Sequence, residues 1–149
     1  MPSAASVATP ATDWVASLSP WPEEFGLERM RELLAGLGDP QRRYPAIHVV
    51  GTNGKSTATR KIAELLRAEG LRAGAYTSPH VAGWHERLDC DSATFERAVT
   101  RVREPSVELG ATQFEVLTAA ALLEFAETDV DVAVVFDGKI AFAPTGDII

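Results

Sequence analysis

The sequence lacks the features of a disulfide-stabilised, membrane-spanning or nucleic-acid-coating protein. Its single cysteine, Cys90, excludes an internal disulfide and fits a reducing compartment. It has no apolar run of about 18 residues, and its N-terminus shows no basic segment followed by an apolar block. Basic residues are outnumbered by acidic ones, 14 to 21, and the net charge is -7. We therefore expect a cytoplasmic protein that binds neither nucleic acid nor membranes.

The composition is that of a globular domain. The chain has 149 residues, of which 46% are hydrophobic and 23% are charged, so one domain can bury a core of useful size. Residues 1–12 are uncharged and rich in Ala, Ser, Thr and Pro, which predicts a disordered tail. Residues 13–149 are expected to form the folded part.

The stretch from His48 to Thr57, HVVGTNGKST, indicates a phosphate site. The apolar run 46–50 predicts a buried strand, and a helical period follows over 56–69. Between them lies a glycine-rich turn, where backbone N–H groups and the positive end of a helix dipole can face an anion. Lys55 adds a positive charge for the outer phosphates. Because Val49 stands where the usual long motif has Gly, this is a shorter loop, and an ordinary strand-to-helix turn is the alternative.

The remaining pattern alternates helices and strands, which predicts an α/β fold with a P-loop-containing parallel sheet flanked by helices. Thr112 and Glu115 form a capping box that opens a helix to Glu127. Residues 77–91 show no period, and we expect them to form a polar loop at the carboxyl end of a strand, where such sheets bind ligands. Three more helices are predicted, at 13–18, 26–37 and 92–109. Asp13 is the expected cap of the first, and Pro105 is expected to break or kink the last. Two further strands are predicted at 72–76 and 130–136.

Several motifs together resemble the folylpolyglutamate synthase/dihydrofolate synthase family of the Mur ligase superfamily. The resemblance covers about residues 14–135, the N-terminal part of such an enzyme, and implies a truncated domain of the Mur-ligase central-domain type. The motifs are FGLER at 25–29, GTNGK at 51–55, YTSPH at 76–80, Glu86-Arg87, FEVLT at 114–118 and DVAVV at 131–135.

The reaction that this resemblance implies is an ADP-forming ligation in folate biosynthesis. ATP phosphorylates the carboxylate of dihydropteroate or of a folylpolyglutamate, and L-glutamate attacks the acyl phosphate. Such chemistry needs aligned phosphates, neutralised charge and a positioned acceptor rather than a protein nucleophile. The implied cofactors are ATP and Mg²⁺, the partners are small-molecule substrates, and full-length members of the family are expected to be monomers.

The resemblance also implies roles for individual residues. It assigns the phosphates of ATP to Thr52, Asn53, Gly54 and Lys55, with Lys55 as the catalytic cation and Ser56 and Thr57 as further phosphate or metal contacts. Ser56 stands where the family often has Gly. Ser78 matches a magnesium ligand, although it could simply cap a turn. The implied substrate-binding residues are Phe25, Thr112, Gln113, Phe114 and Glu115. For several of them, helix capping or core packing is the alternative role.

The sequence departs from the family pattern after Val135. The family continues with a Glu that binds magnesium, whereas this chain has Phe136, which cannot coordinate a metal. Asp137 is one position further on, and a shift of one residue turns a strand side chain to the opposite face. We therefore expect weak or no ligase activity from this chain alone. A non-catalytic nucleotide-binding module and a muramyl-peptide-type ligase remain alternatives, and the choice between dihydropteroate and folylpolyglutamate stays open.

Overall fold

The computed structural model describes residues 10–19, 27–50, 54–78 and 83–136, without the side chain of Lys55. The α-helices of this part are α1 (Ala11–Ser17), α2 (Glu28–Gly36), α3 (Lys55–Ala68), α4 (Ser92–Leu109) and α5 (Gln113–Glu127). The strands are β1 (Ala46–Val49), β2 (Ala73–Tyr76) and β3 (Val132–Phe136), and 3₁₀ helices cover Pro40–Arg42 and Trp84–Leu88. No helix within the described ranges is long and apolar enough to cross a bilayer.

The three strands form a parallel sheet in the order β1-β3-β2. The prediction of parallel strands is confirmed. The strand β3 lies between β1 and β2, although it comes last in the sequence. Its five residues are all buried, as expected for a central strand that is covered on both faces.

The prediction that the first strand is buried is wrong for most of β1. Ala46 and Ile47 are exposed, His48 is half-buried and only Val49 is buried. The reason is the position of β1 at an edge of the described sheet, where an apolar sequence does not guarantee cover by neighbouring elements. Burial increases toward the carboxyl end of β1, the end that leads into the glycine-rich turn.

Helix α5 is the centre of the larger hydrophobic core. All residues from Glu115 to Ala126 are buried, so this helix is enclosed on every side rather than along one stripe. It contacts α1, α2, α4 and β2. The predicted capping box is confirmed, since the Thr112 hydroxyl accepts from the Glu115 N–H and the Glu115 carboxylate accepts from the Thr112 N–H at 2.9 Å.

Helix α1 begins earlier than predicted, and Asp13 is not its cap. The helix starts at Ala11, and Asp13 lies in its first turn. The carboxylate of Glu96, from α4, accepts hydrogen bonds from the N–H groups of Ala11 at 3.0 Å and Thr12 at 2.8 Å. Ala11 and Thr12, which were assigned to the disordered tail, are therefore helical. Residues 1–9 of that tail lie outside the described residues.

Two other details differ from the sequence predictions. Helix α4 continues through Pro105, so the prediction of a helix break at this residue is wrong. Part of the predicted polar loop, Trp84–Leu88, is a 3₁₀ helix. Here the Glu86 carboxylate accepts from the Gly83 N–H at 2.9 Å, which stabilises the first turn. A polar sequence without a period does not reveal such a short helix.

Candidate nucleotide-binding site

The candidate site lies at the carboxyl edge of the sheet. Because the strands are parallel, their carboxyl ends meet at one edge, which is where open α/β sheets bind ligands. Val49 pairs with Phe136, and Tyr76 pairs with the neighbouring Val135. Helix α3 begins six residues after the end of β1, and its second residue, Ser56, contacts Ser78 just beyond β2, so its N-terminus and its positive dipole end also belong to this edge.

Gly54 makes the turn into α3 possible. It is the N-cap of the helix and adopts the left-handed conformation, with φ 76° and ψ 11°. A Cβ at this position would meet no atom within 4 Å, so glycine is favoured by the backbone conformation rather than by lack of space. The first turn of α3 contains no acidic residue, so no carboxylate competes with an anion there. This local geometry suits a phosphate.

The other predicted phosphate residues are placed only in part. Thr52 and Asn53 lie outside the described residues, and Lys55 is placed as the first residue of α3 without its side chain. Thr57 is exposed. The hydroxyl of Ser56 donates to the backbone carbonyl of Ser78 at 2.8 Å. The phosphate contacts of all these residues stay predictions.

The family resemblance implies magnesium ligands at several positions, of which Ser78 and Phe136 are described, and only Ser78 offers an oxygen donor. Ser78 is half-buried just beyond β2, and its hydroxyl is a suitable oxygen donor for a hard cation. The other position is Phe136, whose side chain is 7% exposed and packs among aromatic rings. Within the described ranges, no group of three or more His, Cys, Asp or Glu side chains could hold a metal. We therefore assign no chemical step to the metal.

An aromatic cluster of Tyr76, Phe114 and Phe136 occupies this end of the sheet. The ring centroid of Phe136 lies 5.3 Å from that of Tyr76 and 6.3 Å from that of Phe114. The Tyr76 hydroxyl shares a hydrogen bond with the hydroxyl of Thr118 at 2.8 Å. Burial raises the pKa of Tyr76 well above its usual range, so the phenol stays protonated. Phe114, a predicted substrate contact, is thus part of the packing around β2 and β3.

The polar groups of the other predicted substrate residues have partners within the chain. Glu115 is buried, and its Oε1 accepts from Arg29 Nε at 2.8 Å as well as from the N–H of Thr112. The side-chain amide of Gln113 donates to the carbonyl of Val15 at 3.1 Å. Phe25 lies outside the described residues. These contacts fix the start of α5 against α1 and α2, and substrate binding by these residues stays a prediction.

Arg87 and Cys90 both lie in the segment that follows β2, and neighbouring groups within the chain account for both side chains. The Arg87 guanidinium lies 5.1 Å from the ring centroid of Trp84, in a cation–π contact, and partial burial lowers its pKa. Burial, reinforced by neighbouring carboxylates such as Glu124, raises the pKa of the Cys90 thiol to about 12. Cys90 is therefore protonated near neutral pH and is a poor nucleophile.

Sequence reasoning missed the connections between the site residues. The bond from Ser56 to Ser78 and the ion pair of Arg29 with Glu115 join residues that are distant in sequence. Arg29 and Glu115 both belong to motifs that carry the family resemblance, which was the available signal for their pairing. Nothing in the sequence pattern indicated that Ser56 contacts the end of β2.

Comparison with known proteins agrees with this fold. No family model matches the chain. The dihydrofolate synthase/folylpolyglutamate synthase of Mycobacterium tuberculosis is 37% identical over 85% of this chain and 32% of its own length. The structure of M. tuberculosis folylpolyglutamate synthase complexed with ADP matches 85% of this chain and 31% of that one, with a TM-score of 0.78 and 33% identity. An FPGS–AMPPCP–folate complex matches 92% and 36%, also with a TM-score of 0.78 and 33% identity.

The fold is therefore that of the Mur ligases, of which the described residues form a helix-rich part with a small parallel sheet. More narrowly, the chain belongs to the folylpolyglutamate synthase/dihydrofolate synthase family, whose members are ATP-binding ligases of folate metabolism. It spans about a third of the length of the relatives named above.

Proposed function

We propose that this chain is the ATP-binding part of a ligase that adds L-glutamate to dihydropteroate or to a folylpolyglutamate. The observation that carries the proposal is the start of α3 at the carboxyl edge of the sheet, with Gly54 in the left-handed conformation and Ser56 bonded to the end of β2. The matched relatives include structures with ADP and with AMPPCP and folate, which supports a nucleotide and a folate as ligands.

In this proposal the chain holds the phosphates of ATP rather than reacting covalently with them. The N–H groups at the start of α3 and the charge of Lys55 stabilise the transferring γ-phosphoryl group, with Thr52, Asn53 and Thr57 as further contacts. The substrate carboxylate takes this group to form an acyl phosphate, and ADP leaves. The amine of glutamate then attacks the acyl carbon, and the amide forms with release of inorganic phosphate and a proton.

Glutamate-dependent release of ADP tests this function. The chain is incubated with MgATP, L-glutamate and either dihydropteroate or a folate, and ADP and the glutamylated product are measured by chromatography and mass spectrometry. We expect slow ADP formation that requires both glutamate and the pterin substrate and is lost in Lys55→Ala. The pterin that supports turnover identifies the preferred substrate. ADP formation that is insensitive to glutamate would contradict the ligase proposal.

A non-catalytic nucleotide-binding module is the second candidate, and the position of Phe136 favours it. Its ring is packed against Tyr76 and Phe114, where the family resemblance expects a carboxylate. Saturable binding of ATP with no product in the assay above would support this candidate. A muramyl-peptide ligase is less consistent with the relatives reported above, which are folate enzymes.

A further inference from the structure

We propose that Ser56 is a positioning residue that acts through Ser78: its hydroxyl joins the first turn of α3 to the end of β2 and so holds Ser78 beside the phosphate site. This inference rests on the proposed function, since it concerns the same nucleotide site. It gives Ser56 a role different from the direct phosphate or metal contact that the family resemblance implies.

The bond itself is short and well placed. Ser56 Oγ donates to the Ser78 backbone carbonyl at 2.8 Å, and both residues are half-buried. Ser56 is the second residue of α3, and Ser78 is two residues beyond the last residue of β2. The bond therefore spans the gap between the two segments that must approach one nucleotide. Partial burial protects it from competition with water.

A second contact from the same face of α3 reaches the neighbouring residue of the β2 end. Arg60 is four positions after Ser56, so the two side chains lie one turn apart on one face. Its Nη2 donates to Thr77 Oγ1 at 3.4 Å, which is a weak contact. Thr77 is 1% exposed, and its N–H donates to the Arg87 carbonyl at 2.9 Å. The end of β2 is thus held by α3 on one side and by the 3₁₀ helix Trp84–Leu88 on the other.

The bond engages the proton of the Ser56 hydroxyl, so this hydroxyl does not donate to a phosphate while the bond is formed. A serine hydroxyl has one proton, and in Ser56 it is directed at the Ser78 carbonyl. The exposed hydroxyl of Thr57 lies one residue further along α3. A glycine, which the family often has at position 56, could not make this bond. In this chain the bond thus gives the end of β2 a contact with α3 that a glycine at position 56 would not provide.

A double-mutant cycle on ATP binding tests the inference. The dissociation constant for ATP is measured by calorimetry, in magnesium buffer, for the unsubstituted chain, Ser56→Ala, Ser78→Ala and the double variant. We expect Ser56→Ala to weaken binding about three- to tenfold, because one net hydrogen bond that orders the site is lost. In the Ser78→Ala background the same change should alter binding by less than about twofold, since its effect passes through Ser78.

Two further variants separate positioning from a general loss of structure. Ser56→Thr keeps a hydroxyl on the same carbon and should restore the affinity to within about twofold of the unsubstituted chain. Ser17→Ala is the matched control, because it also removes a serine hydroxyl that donates to a backbone carbonyl, that of Trp14 at 2.6 Å. It lies in α1, which packs against α4 and α5, and should leave ATP affinity unchanged.

The outcomes distinguish this inference from the proposed function. Additive effects of Ser56→Ala and Ser78→Ala would show that the effect of Ser56 does not pass through the Ser78 side chain, and would overturn the positioning role alone. An unchanged affinity in Ser56→Ala would also overturn it. Failure of the unsubstituted, folded chain to bind ATP would overturn the proposed function and this inference together.

Discussion

Gly74→Ala is expected to lower the free energy of unfolding by about 2–3 kcal/mol, the upper part of the usual range for overpacking a well-filled core. A Cβ on Gly74, in β2, would lie 2.5 Å from Cδ1 and 2.7 Å from Cε1 of the Phe125 ring. That ring cannot easily retreat, because it is 3% exposed and packs edge-on against Tyr44. Tyr44 is itself fixed by donating its hydroxyl proton to the carbonyl of Leu122 at 2.8 Å. Urea unfolding followed by circular dichroism measures the change.

Gly36→Ala is the matched control for this prediction. Gly36 is the last residue of α2, and a Cβ there would meet no atom within 4 Å. The same substitution should therefore stabilise the protein, by up to about 1 kcal/mol, because alanine is the better helix former. Similar effects of the two variants would contradict the close contact between Gly74 and Phe125.

Phe136→Ala is expected to destabilise the protein by about 3–4 kcal/mol, as for other buried aromatic truncations. The side chain is 7% exposed and fills the space between Tyr76 and Phe114 at the end of β3. Removing it leaves a cavity between the sheet and the first turn of α5, which relaxes only partly. Phe136→Leu keeps most of the volume and should cost less than about 1.5 kcal/mol.

Val107→Ala provides the comparison for a surface position. Val107 lies on α4 with 61% of its surface exposed, and its truncation should change stability by no more than about 0.5 kcal/mol. Thermal and urea unfolding of the three variants checks the order. A Phe136→Ala variant as stable as Val107→Ala would show that Phe136 is not packed in the aromatic cluster, and would reopen the end of β3 as a place for a ligand.

The parts of the fold that the sequence predicted are those set by local patterns. The Thr112–Glu115 capping box, the helical period of α3 and the apolar run of β3 all depend on residues close together in the chain. What local patterns could not supply was the order of the strands. The insertion of β3 between β1 and β2 decides which apolar run is buried on both faces, and it explains why β1 is largely exposed.

For the candidate site as well, the sequence predicted local features but not the contacts between distant residues. The motif around Gly54 indicated a helix start suited to an anion, and the structure has Gly54 in the left-handed conformation at that position. The inability of Phe136 to bind a metal followed from its chemistry, whereas its place among Tyr76 and Phe114 required the fold. The capping of α1 by Glu96 depends on a residue more than 80 positions away, so Asp13 was chosen wrongly.

The most direct test of this account is ATP binding by the chain, compared between the unsubstituted protein and Lys55→Ala by calorimetry. We predict saturable binding that weakens by at least about 30-fold in Lys55→Ala, because the charge next to the phosphates is lost. Lys61→Ala, which removes an exposed lysine from the same helix, serves as the matched control and should bind normally. Equal binding by Lys55→Ala and Lys61→Ala, or no binding by the folded protein, would contradict a nucleotide site at the start of α3.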